Sequence, residues 1–291
     1  MHPAPSVIFF TVSSGLGFGL LAWLGTGNPA VNGLSAFVMY FLGYGFAVGG
    51  LLSSVFHLAN KKNAIKAFSQ WRTSWLSREA VLSVITLLTV APYAIGRIFF
   101  DTTLETLGLI GSALCVVTVL STSMIYAQLK TVPRWNNGFT PLLFVLYMIS
   151  GGALFTDRVG IAVYLLIALG ILQVLAWRDG DNRTVNNKTD MGTATGLGRI
   201  GKVRQYEPPH TGQNYLLKEM AYQVARKHVL KLRLIAFVAA FLLPILALMA
   251  FADTPSFGAP MALVFHLLGV LASRWLFFAE ARHAVANYYG R

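Results

Sequence analysis

Long apolar runs constrain the fold of this chain more than any other feature of its sequence. They recur along all 291 residues, of which 55% are hydrophobic and only 12% are charged. Because a helix of about 20 apolar residues crosses a lipid bilayer, each run is a candidate transmembrane helix. The sequence therefore predicts an all-α polytopic membrane protein with eight spans, near residues 6–26, 34–59, 80–100, 106–127, 139–156, 158–177, 232–252 and 259–281.

Lys and Arg are distributed unequally between the two sides of the predicted bundle. Of the 23 such residues, 20 fall in loops and tails on one side, Arg97 and Arg158 fall on the other, and Arg274 lies inside the last span. Because short cytoplasmic loops of membrane proteins are enriched in Lys and Arg, this side is predicted to be cytoplasmic. Both termini are then predicted to be cytoplasmic. Topology explains the net charge of +12, so no nucleic-acid partner is expected.

The predicted chain has three parts. Residues 1–177 hold six spans, residues 178–231 form a cytoplasmic segment, and residues 232–291 hold two spans and the cytoplasmic C-terminus. The first half of the cytoplasmic segment is rich in Gly, Asn, Thr and Pro and is predicted to be a loop. Residues 214–231 have helical spacing and predict an amphipathic helix, which lies on the membrane surface or docks a partner.

A glycine motif in the cytoplasmic segment matches a nucleotide-binding pattern only superficially. The letters GLGRIG at residues 196–201 fit G-x-G-x-x-G. That motif binds a dinucleotide only between a strand and a helix, and no apolar strand precedes it here. We therefore interpret this stretch as a loop or a partner-bound arm.

The loop between the second and third predicted spans carries the strongest candidate site. His57 lies about one turn before the end of span 2 and Glu79 begins span 3, so the loop returns both to the same membrane layer. An imidazole can donate a hydrogen bond to a quinone carbonyl, and a carboxylate can exchange the proton that accompanies electron transfer. Together with Trp71, Arg72 and Trp75, these residues predict a quinone-binding and proton-transfer site.

A structural explanation of the same two residues stays open. His57 can cap its helix, and Glu79 can be a first-turn residue favoured by the helix dipole or paired with Arg78 or Lys61.

Two stretches of the chain resemble the membrane anchor subunits of the dimethyl sulfoxide reductase family. They are SSVFHLANKKNAIKAF…SWLSREA around the second loop and MIYAQLKTVPRWNNGFTPLLFVL after the fourth span. The resemblance implies an anchor that holds a molybdenum catalytic subunit and an iron–sulfur electron-transfer subunit to the membrane lipid. It also implies electron exchange with a quinone, ubiquinone or menaquinone. The family's functional His and Glu match His57 and Glu79, and the molybdenum cofactor and Fe–S clusters belong to the partners.

The orientation of this chain differs from that of the family's best-known members. Those members place the catalytic subunits outside the cytoplasm, facing the His end of span 2, whereas the charge distribution here makes that end cytoplasmic. With the insert between spans 6 and 7, the chain resembles the anchor of the cytoplasmic sulfite-oxidising enzyme of bacteria. This implies sulfite oxidation in a partner and transfer of the electrons to quinone.

Four residues are predicted to dock the partners. They are Lys202, Arg204 and Arg226 in the insert and Trp135 after the fourth span. For the three basic residues, membrane topology alone is an equal explanation.

The remaining residues restrict other cofactors. Cys115 is the single cysteine, so the chain forms no internal disulfide and no Cys-ligated cluster. Only His266 lies clearly inside a span, and two histidines at matched depth are needed for haem b, so no haem and no metal are expected. His266 is expected to be packed or hydrogen-bonded. Arg274 is expected to face the bundle interior, paired or lining a proton path.

Two other functions compete with this interpretation. A reductase of dimethyl sulfoxide, polysulfide or thiosulfate would use the same anchor with electrons flowing from quinol to substrate. A secondary transporter is disfavoured because the spans have few midplane carboxylates and no visible repeats.

Overall fold

Helices form the bundle in the described part of the chain. The computed structural model describes residues 1–56, 61–156, 158–187, 189–207, 212, 214, 216–220 and 228–289. No strand occurs among these residues. The helices are α1 (Pro5–Gly25), α2 (Gly33–Val55), α3 (Trp75–Ile95), α4 (Glu105–Ala127), α5 (Phe139–Ala153), α6 (Val159–Val185), α7 (Met191–Thr195), α8 (Val229–Phe237), α9 (Leu243–Ala250) and α10 (Pro255–Ala279). The π-helical turn Gly96–Phe100 extends α3, and the turn Val238–Leu242 joins α8 to α9.

Seven helices in this region are long and apolar enough to cross a membrane. They are Pro5–Gly25, Gly33–Val55, Trp75–Phe100, Glu105–Ala127, Val159–Val185, Val229–Ala250 and Pro255–Ala279. The remaining predicted span, the fifth at residues 139–156, corresponds to α5, which has 15 residues. Such a helix is about 22 Å long, shorter than the roughly 30 Å hydrocarbon core of a bilayer. The count of eight spans therefore stays a prediction, as does the division into three parts.

Helix α1 occupies the centre of the bundle. It contacts α2, α3, α4, α5 and α10, and most of its residues are buried. Small residues permit this packing: a Cβ added at Gly17 would collide with the backbone of Ala47, and one added at Gly19 would collide with the backbone of Met148. Membrane helices associate through such close backbone approach because lipid provides no hydrophobic drive between them.

The helix ends on the basic side are joined into one rim, which we call the basic rim. The N-terminal amino group donates to the carbonyl of Ala281 at 2.7 Å, and Ala284 N donates to Thr131 O at 2.8 Å. These contacts join the start of α1, the α4–α5 loop and the end of α10. Burial, and then the charge of the N-terminal amino group, lower the pKa of His283 beside them.

Four charged side chains, the ion cluster, lock further helix ends at the basic rim. Arg134 pairs with Asp181 at 2.8 Å and also with Glu280, and Arg233 pairs with Asp181 at 2.7 Å and with Glu280 at 2.8 Å. The cluster therefore connects the α4–α5 loop, α6, α8 and the residue that follows α10. Each charge has two opposite partners, which offsets the cost of removing it from water.

Several helix boundaries differ from the predicted ones. Helix α3 begins at Trp75, so Glu79 lies inside the helix instead of at its start. Helix α6 continues to Val185, beyond the predicted end at residue 177. In the predicted amphipathic helix, residues 216–220 form a π-helical turn and α8 starts at Val229, while residues 221–227 lie outside the described part.

The glycine motif at residues 196–201 follows a short helix and not a strand. Helix α7 is capped by Asp190, whose carboxylate accepts from Thr193 N at 2.8 Å. Hydrogen bonds from Thr193 lower the pKa of the Asp190 carboxyl. Gly196 has φ of +71° and ends α7, which explains the glycine by backbone conformation.

Candidate functional site

A large cavity, the rim cavity, opens between the helix ends at the basic rim. Its volume is about 390 Å³, within the range typical of small-molecule sites. The chain surrounds it with the start of α1, the end of α2, the segment between α2 and α3, the end of α4 and residues near the end of α10. The lining residues are Met1, His2, Ala4, Val7, Phe10, Ser54, Val55, Ala64, Ala67, Leu76, Ile125, Tyr126, Leu129, Trp135, Glu219, Met220 and Phe278.

The walls of the rim cavity are mostly apolar. Leu76, Ile125 and Leu129 give it an aliphatic side, and Tyr126, Trp135 and Phe278 give it an aromatic side. Tyr126 packs edge-on against Trp135 with ring centroids 5.4 Å apart, and Trp135 Nε1 donates to Phe277 O at 2.9 Å. Such walls suit a flat apolar ligand that reaches the site through the membrane.

Glu79 lies one helical turn behind the wall of the rim cavity. Its side chain is 4% exposed, and its Oε1 accepts a hydrogen bond from Thr122 Oγ1 at 2.5 Å. Residues three or four apart share one face of a helix, so Glu79 lies behind Leu76 on α3 and Thr122 lies behind Tyr126 on α4. The pair thus places a buried carboxyl group close to the cavity.

His57 lies outside the described residues, and so does the predicted docking residue Arg226. Ser54 and Val55, which closely precede His57 in the chain, line the rim cavity.

Trp71, Arg72 and Trp75 form a separate cluster at the surface. They are held together by Arg78, whose guanidinium lies 4.4 Å from the centre of the Trp75 ring and donates to the carbonyl oxygens of Trp71 and Arg72. Trp71 is 54% exposed. None of these four side chains lines the rim cavity; the nearby wall residue is Leu76. Exposed aromatic and basic side chains of this kind are typical of the ends of membrane-spanning helices.

The predicted docking residues divide into two groups. Lys202 and Arg204 are exposed. Trp135 is only 2% exposed, so its ring is not available to a partner at the surface; it forms part of the wall of the rim cavity instead.

The two buried polar residues of the last span lie near two small cavities inside the bundle. His266 is 1% exposed, and its Nδ1 lies 2.7 Å from the carbonyl oxygen of Ala240. Arg274 is 5% exposed, and its guanidinium lies 3.6 Å from the centre of the Phe144 ring. His266 was expected to be packed or hydrogen-bonded, and the structure shows the hydrogen bond. Arg274 faces the interior, but Glu280 pairs with Arg134 and Arg233 and not with it.

Several residues of this interior were not identified from the sequence. Thr122 is a fourth-span hydroxyl in the polar run STS at residues 121–123, which is a signal that an interior face is polar. Gln173 is an amide inside the sixth span, and Asp181 and Glu280 are carboxylates near span ends. Thr122 and Gln173 are polar groups in apolar runs, the signal that also identified Arg274, whereas Asp181 lies in the charged stretch that follows the sixth predicted span.

A second cavity of comparable size is a groove between α6 and the α8–α9 pair. Its volume is about 410 Å³, and its lining includes Gly170, Phe237 and Phe241. The ionisable residue that lines it is Arg178, and no carboxylate or imidazole of the described residues does so. The groove therefore offers apolar room without a group that exchanges protons near neutral pH.

No group of three or more His, Cys, Asp or Glu side chains within the described ranges is arranged to hold a metal ion.

The helices and cavities define a class: a multi-pass membrane protein with a small-molecule-sized apolar cavity at one rim. The model of the family described as DMSO reductase anchor subunit (DmsC) matches residues 1–284, and the chain belongs to this family. The protein is thus a membrane anchor subunit of an oxidoreductase complex.

Two curated proteins are similar to the chain. The C subunit of the sulfite dehydrogenase of Allochromatium vinosum is 29% identical over 324 aligned positions, which cover 99% of each chain. Anaerobic dimethyl sulfoxide reductase chain YnfH of Escherichia coli is 27% identical over 171 positions, covering 52% of this chain and 55% of that protein. No solved structure matches the chain significantly.

Proposed function

We propose that this protein is the quinone-reactive membrane anchor of a molybdenum and iron–sulfur oxidoreductase. In this proposal, partner subunits in the cytoplasm oxidise sulfite, and the anchor passes the electrons to the quinone pool of the bacterial inner membrane. Its basic rim, with both termini, faces the cytoplasm.

The rim cavity with Glu79 behind its wall is the observation that carries the quinone assignment. A quinone head group is a flat apolar ring with two carbonyl oxygens, and the cavity has apolar and aromatic walls with a volume of about 390 Å³. The residues present therefore fit a quinone. When bound, the quinone would accept two electrons and two protons.

The chain's own residues supply orientation and protons. Ser54 and Tyr126 are wall residues whose hydroxyl groups can donate to a carbonyl group, and Trp135 and Phe278 can stack on the ring. His57 follows wall residue Val55 by two positions and is the proposed hydrogen-bond donor. Glu79 holds or releases a proton at its carboxyl group, with Thr122 donating to its Oε1. Burial keeps bulk water away from this exchange.

The proposed side for the partners follows from charge. The loops and tails at the basic rim contain 20 of the 23 Lys and Arg residues, the pattern of cytoplasmic loops. Electrons from iron–sulfur clusters docked there would enter beside the rim cavity. Exposed Lys202 and Arg204, with Arg226, are the proposed contacts to the partners. The chain is similar over its full length to the C subunit of a sulfite dehydrogenase, and this similarity supports sulfite as the partner's substrate.

Replacing the two proton-exchanging residues tests the proposal. In membranes that contain the complete complex, His57→Ala and Glu79→Gln should slow sulfite-driven reduction of a ubiquinone analogue by about 100-fold, the usual effect of losing a positioned acid or base. Sulfite oxidation with a soluble dye should persist. The matched control is Glu105→Gln, an exposed carboxylate at the start of α4. If quinone turnover is unchanged in both site variants, His57 and Glu79 do not form the quinone site.

A reductase working in the opposite direction is the second candidate. Similarity to a dimethyl sulfoxide reductase chain over half of each protein favours it. Quinol oxidation that starts on addition of dimethyl sulfoxide, and not quinone reduction that starts on addition of sulfite, would establish that direction.

A further inference from the structure

Two small cavities follow one another through the bundle interior behind Glu79. The central cavity, about 20 Å³, is lined by residues that include Thr122, Tyr147, His266 and Arg274. The mouth cavity, about 50 Å³, is lined by residues that include Tyr147 and Arg274. Because a cavity of about 15 Å³ holds one water molecule when polar groups surround it, both are large enough for water.

Polar groups connect the two cavities. The hydroxyl of Tyr147 donates to Gln173 Oε1 at 2.9 Å and lies 3.0 Å from Ser273 Oγ. Tyr147, Gln173, Ser273 and Arg274 are each at most 7% exposed. Polar side chains are costly to bury in an apolar bundle, so four of them together mark a candidate functional region.

Arg274 requires water in these cavities. Its Nε is buried and has no hydrogen-bond partner within the described part of the chain. The ring of Phe144 contacts one face of its guanidinium, but a cation–π contact satisfies no N–H group. A buried N–H group without a hydrogen-bond partner destabilises the fold, so water is the ligand that this N–H needs from the cavities that Arg274 lines.

The ends of this polar series reach the two places between which protons would move. At the inner end, Thr122 lines the central cavity and donates to the Glu79 carboxylate at 2.5 Å. At the outer end, Arg134 and Glu280 of the ion cluster line the mouth cavity at the basic rim. An aromatic contact separates the series from the rim cavity, since Tyr126 packs on Phe144 with ring centroids 5.7 Å apart.

We propose that the central and mouth cavities hold a water chain that carries protons between the ion cluster and Glu79, past Arg274. The proposal rests on the proposed function, in which Glu79 exchanges protons with a quinone in the rim cavity. Protons would then reach Glu79 from the interior cavities, and the quinone would occupy the rim cavity on the other side of this residue.

Every proton that leaves Glu79 along this route is replaced. When Glu79 gives a proton to the quinone, Thr122 and the central water replace it, and each water takes one from its outer neighbour. The last water recovers its proton from the aqueous phase at the ion cluster. Reduction of one quinone consumes two protons by this relay and two electrons from the iron–sulfur partner, and Arg274 stays charged throughout.

The test blocks the route far from Glu79. Tyr147→Phe and Gln173→Leu, separately and together, remove the hydroxyl and the amide that bridge the cavities. The control is Tyr40→Phe, the same chemical change at a tyrosine that is 3% exposed and lines none of these cavities. Quinone turnover of the complete complex in membranes is measured in H₂O and D₂O, with KM for the quinone and dye-linked activity alongside.

Because positioned proton transfer contributes about 100-fold to rates, we expect kcat for quinone to fall by about ten-fold or more in the double variant. The solvent isotope effect should rise, while KM and dye-linked activity stay at the values of Tyr40→Phe. A kcat and an isotope effect equal to those of Tyr40→Phe would overturn the route.

A second pair of variants tests whether the hydroxyl group of Thr122 is needed at the inner end of the route. Thr122→Val keeps the volume of Thr122 and removes its hydroxyl, whereas Thr122→Ser keeps the hydroxyl. The route predicts a slow Val variant with a raised isotope effect and near-normal turnover in the Ser variant. Equal turnover in both would contradict it. If His57→Ala and Glu79→Gln are also fully active, the quinone site itself has failed; if Glu79→Gln is slow and the Thr122 variants are not, the route alone has failed.

Discussion

The rim cavity and the two interior cavities lie side by side in the bundle, yet they differ in size and chemistry. The rim cavity has about 390 Å³ and apolar walls, whereas the central and mouth cavities have about 20 and 50 Å³ and are lined by Arg274, Tyr147 and other polar groups. The first has room for a hydrophobic ligand, and the others have room for water. In the proposed account, the bundle thus separates quinone binding from proton supply, with Glu79 and Thr122 between the two regions.

The largest predicted effect concerns the ion cluster, which closes the outer end of the interior. Glu280→Ala would leave Arg134 and Arg233 without one of their two carboxylates in a side-chain environment that is about a tenth exposed. Breaking a buried ion pair typically costs about 3–5 kcal/mol, so the free energy of unfolding in detergent should fall by that amount. Chemical denaturation of the purified anchor measures it.

The matched control for the ion cluster is Asp179→Ala. Asp179 pairs with Arg183 at 2.6 Å on the surface of α6, where the arginine is 44% exposed. An exposed pair of this spacing contributes about 0.5 kcal/mol. Equal effects of the two substitutions would mean that the ion cluster is solvated like an ordinary surface pair.

The next effect concerns α1, whose packing supports both regions. Gly19→Ala places a methyl group against the backbone of Met148 in α5, and overpacking of this kind costs about 1–3 kcal/mol. Gly45→Ala in α2, where a Cβ has nothing within 4 Å, should leave stability within about 0.5 kcal/mol. Thermal unfolding in one detergent compares the two. A Gly19→Ala protein as stable as Gly45→Ala would show that the helices do not approach this closely.

A smaller effect should separate the rim cavity from the interior. Ala67→Trp fills part of the rim cavity and should raise KM for quinone by about ten-fold, or about 1.4 kcal/mol, without a change in the solvent isotope effect. Ile65→Trp is the control, because Ile65 is 81% exposed two residues away and does not line the cavity. A raised isotope effect in Ala67→Trp would mean that the two regions are not independent.

The smallest effect is expected outside both regions, at the proposed docking surface. Exposed charges contribute at most about 1 kcal/mol each, and salt screens them. Lys202→Ala with Arg204→Ala should therefore weaken retention of the partner subunits a few-fold at low salt and have no effect at high salt. Retention is measured by pull-down of the anchor from solubilised membranes. Equal retention in variant and parent at low salt would exclude these residues from docking.

The sequence predicted the helical bundle because each span has its own apolar run, and the runs can be read locally. It identified Arg274 as a polar group that interrupts such a run, and Glu79 as a carboxylate at the predicted start of a span, in the same membrane layer as His57. The contacts between residues distant in the chain could not be read in this way. Thr122 donates a hydrogen bond to Glu79, which lies 43 positions away in the chain. Trp135 points inward, where its Nε1 donates to the carbonyl oxygen of Phe277.

The length of α5 could not be predicted from the hydropathy of the sequence either. Apolar residues continue past Ala153, but the helix ends there, as Leu154 packs with α6, α9 and α10 in a second core. Hydropathy reports composition and not the point at which tertiary packing ends a helix.

The central claim is that quinone binds in the rim cavity, and a photoreactive quinone tests it most directly. Membranes with the complete complex would be irradiated with an azidoquinone, with and without excess native quinone, and labelled peptides of the anchor identified by mass spectrometry. The account predicts label, prevented by native quinone, on peptides that contain Ser54 and Val55, Leu76 or Ile125 to Leu129. Label confined to the groove of α6 and α8–α9, around Gly170 and Phe241, would contradict it.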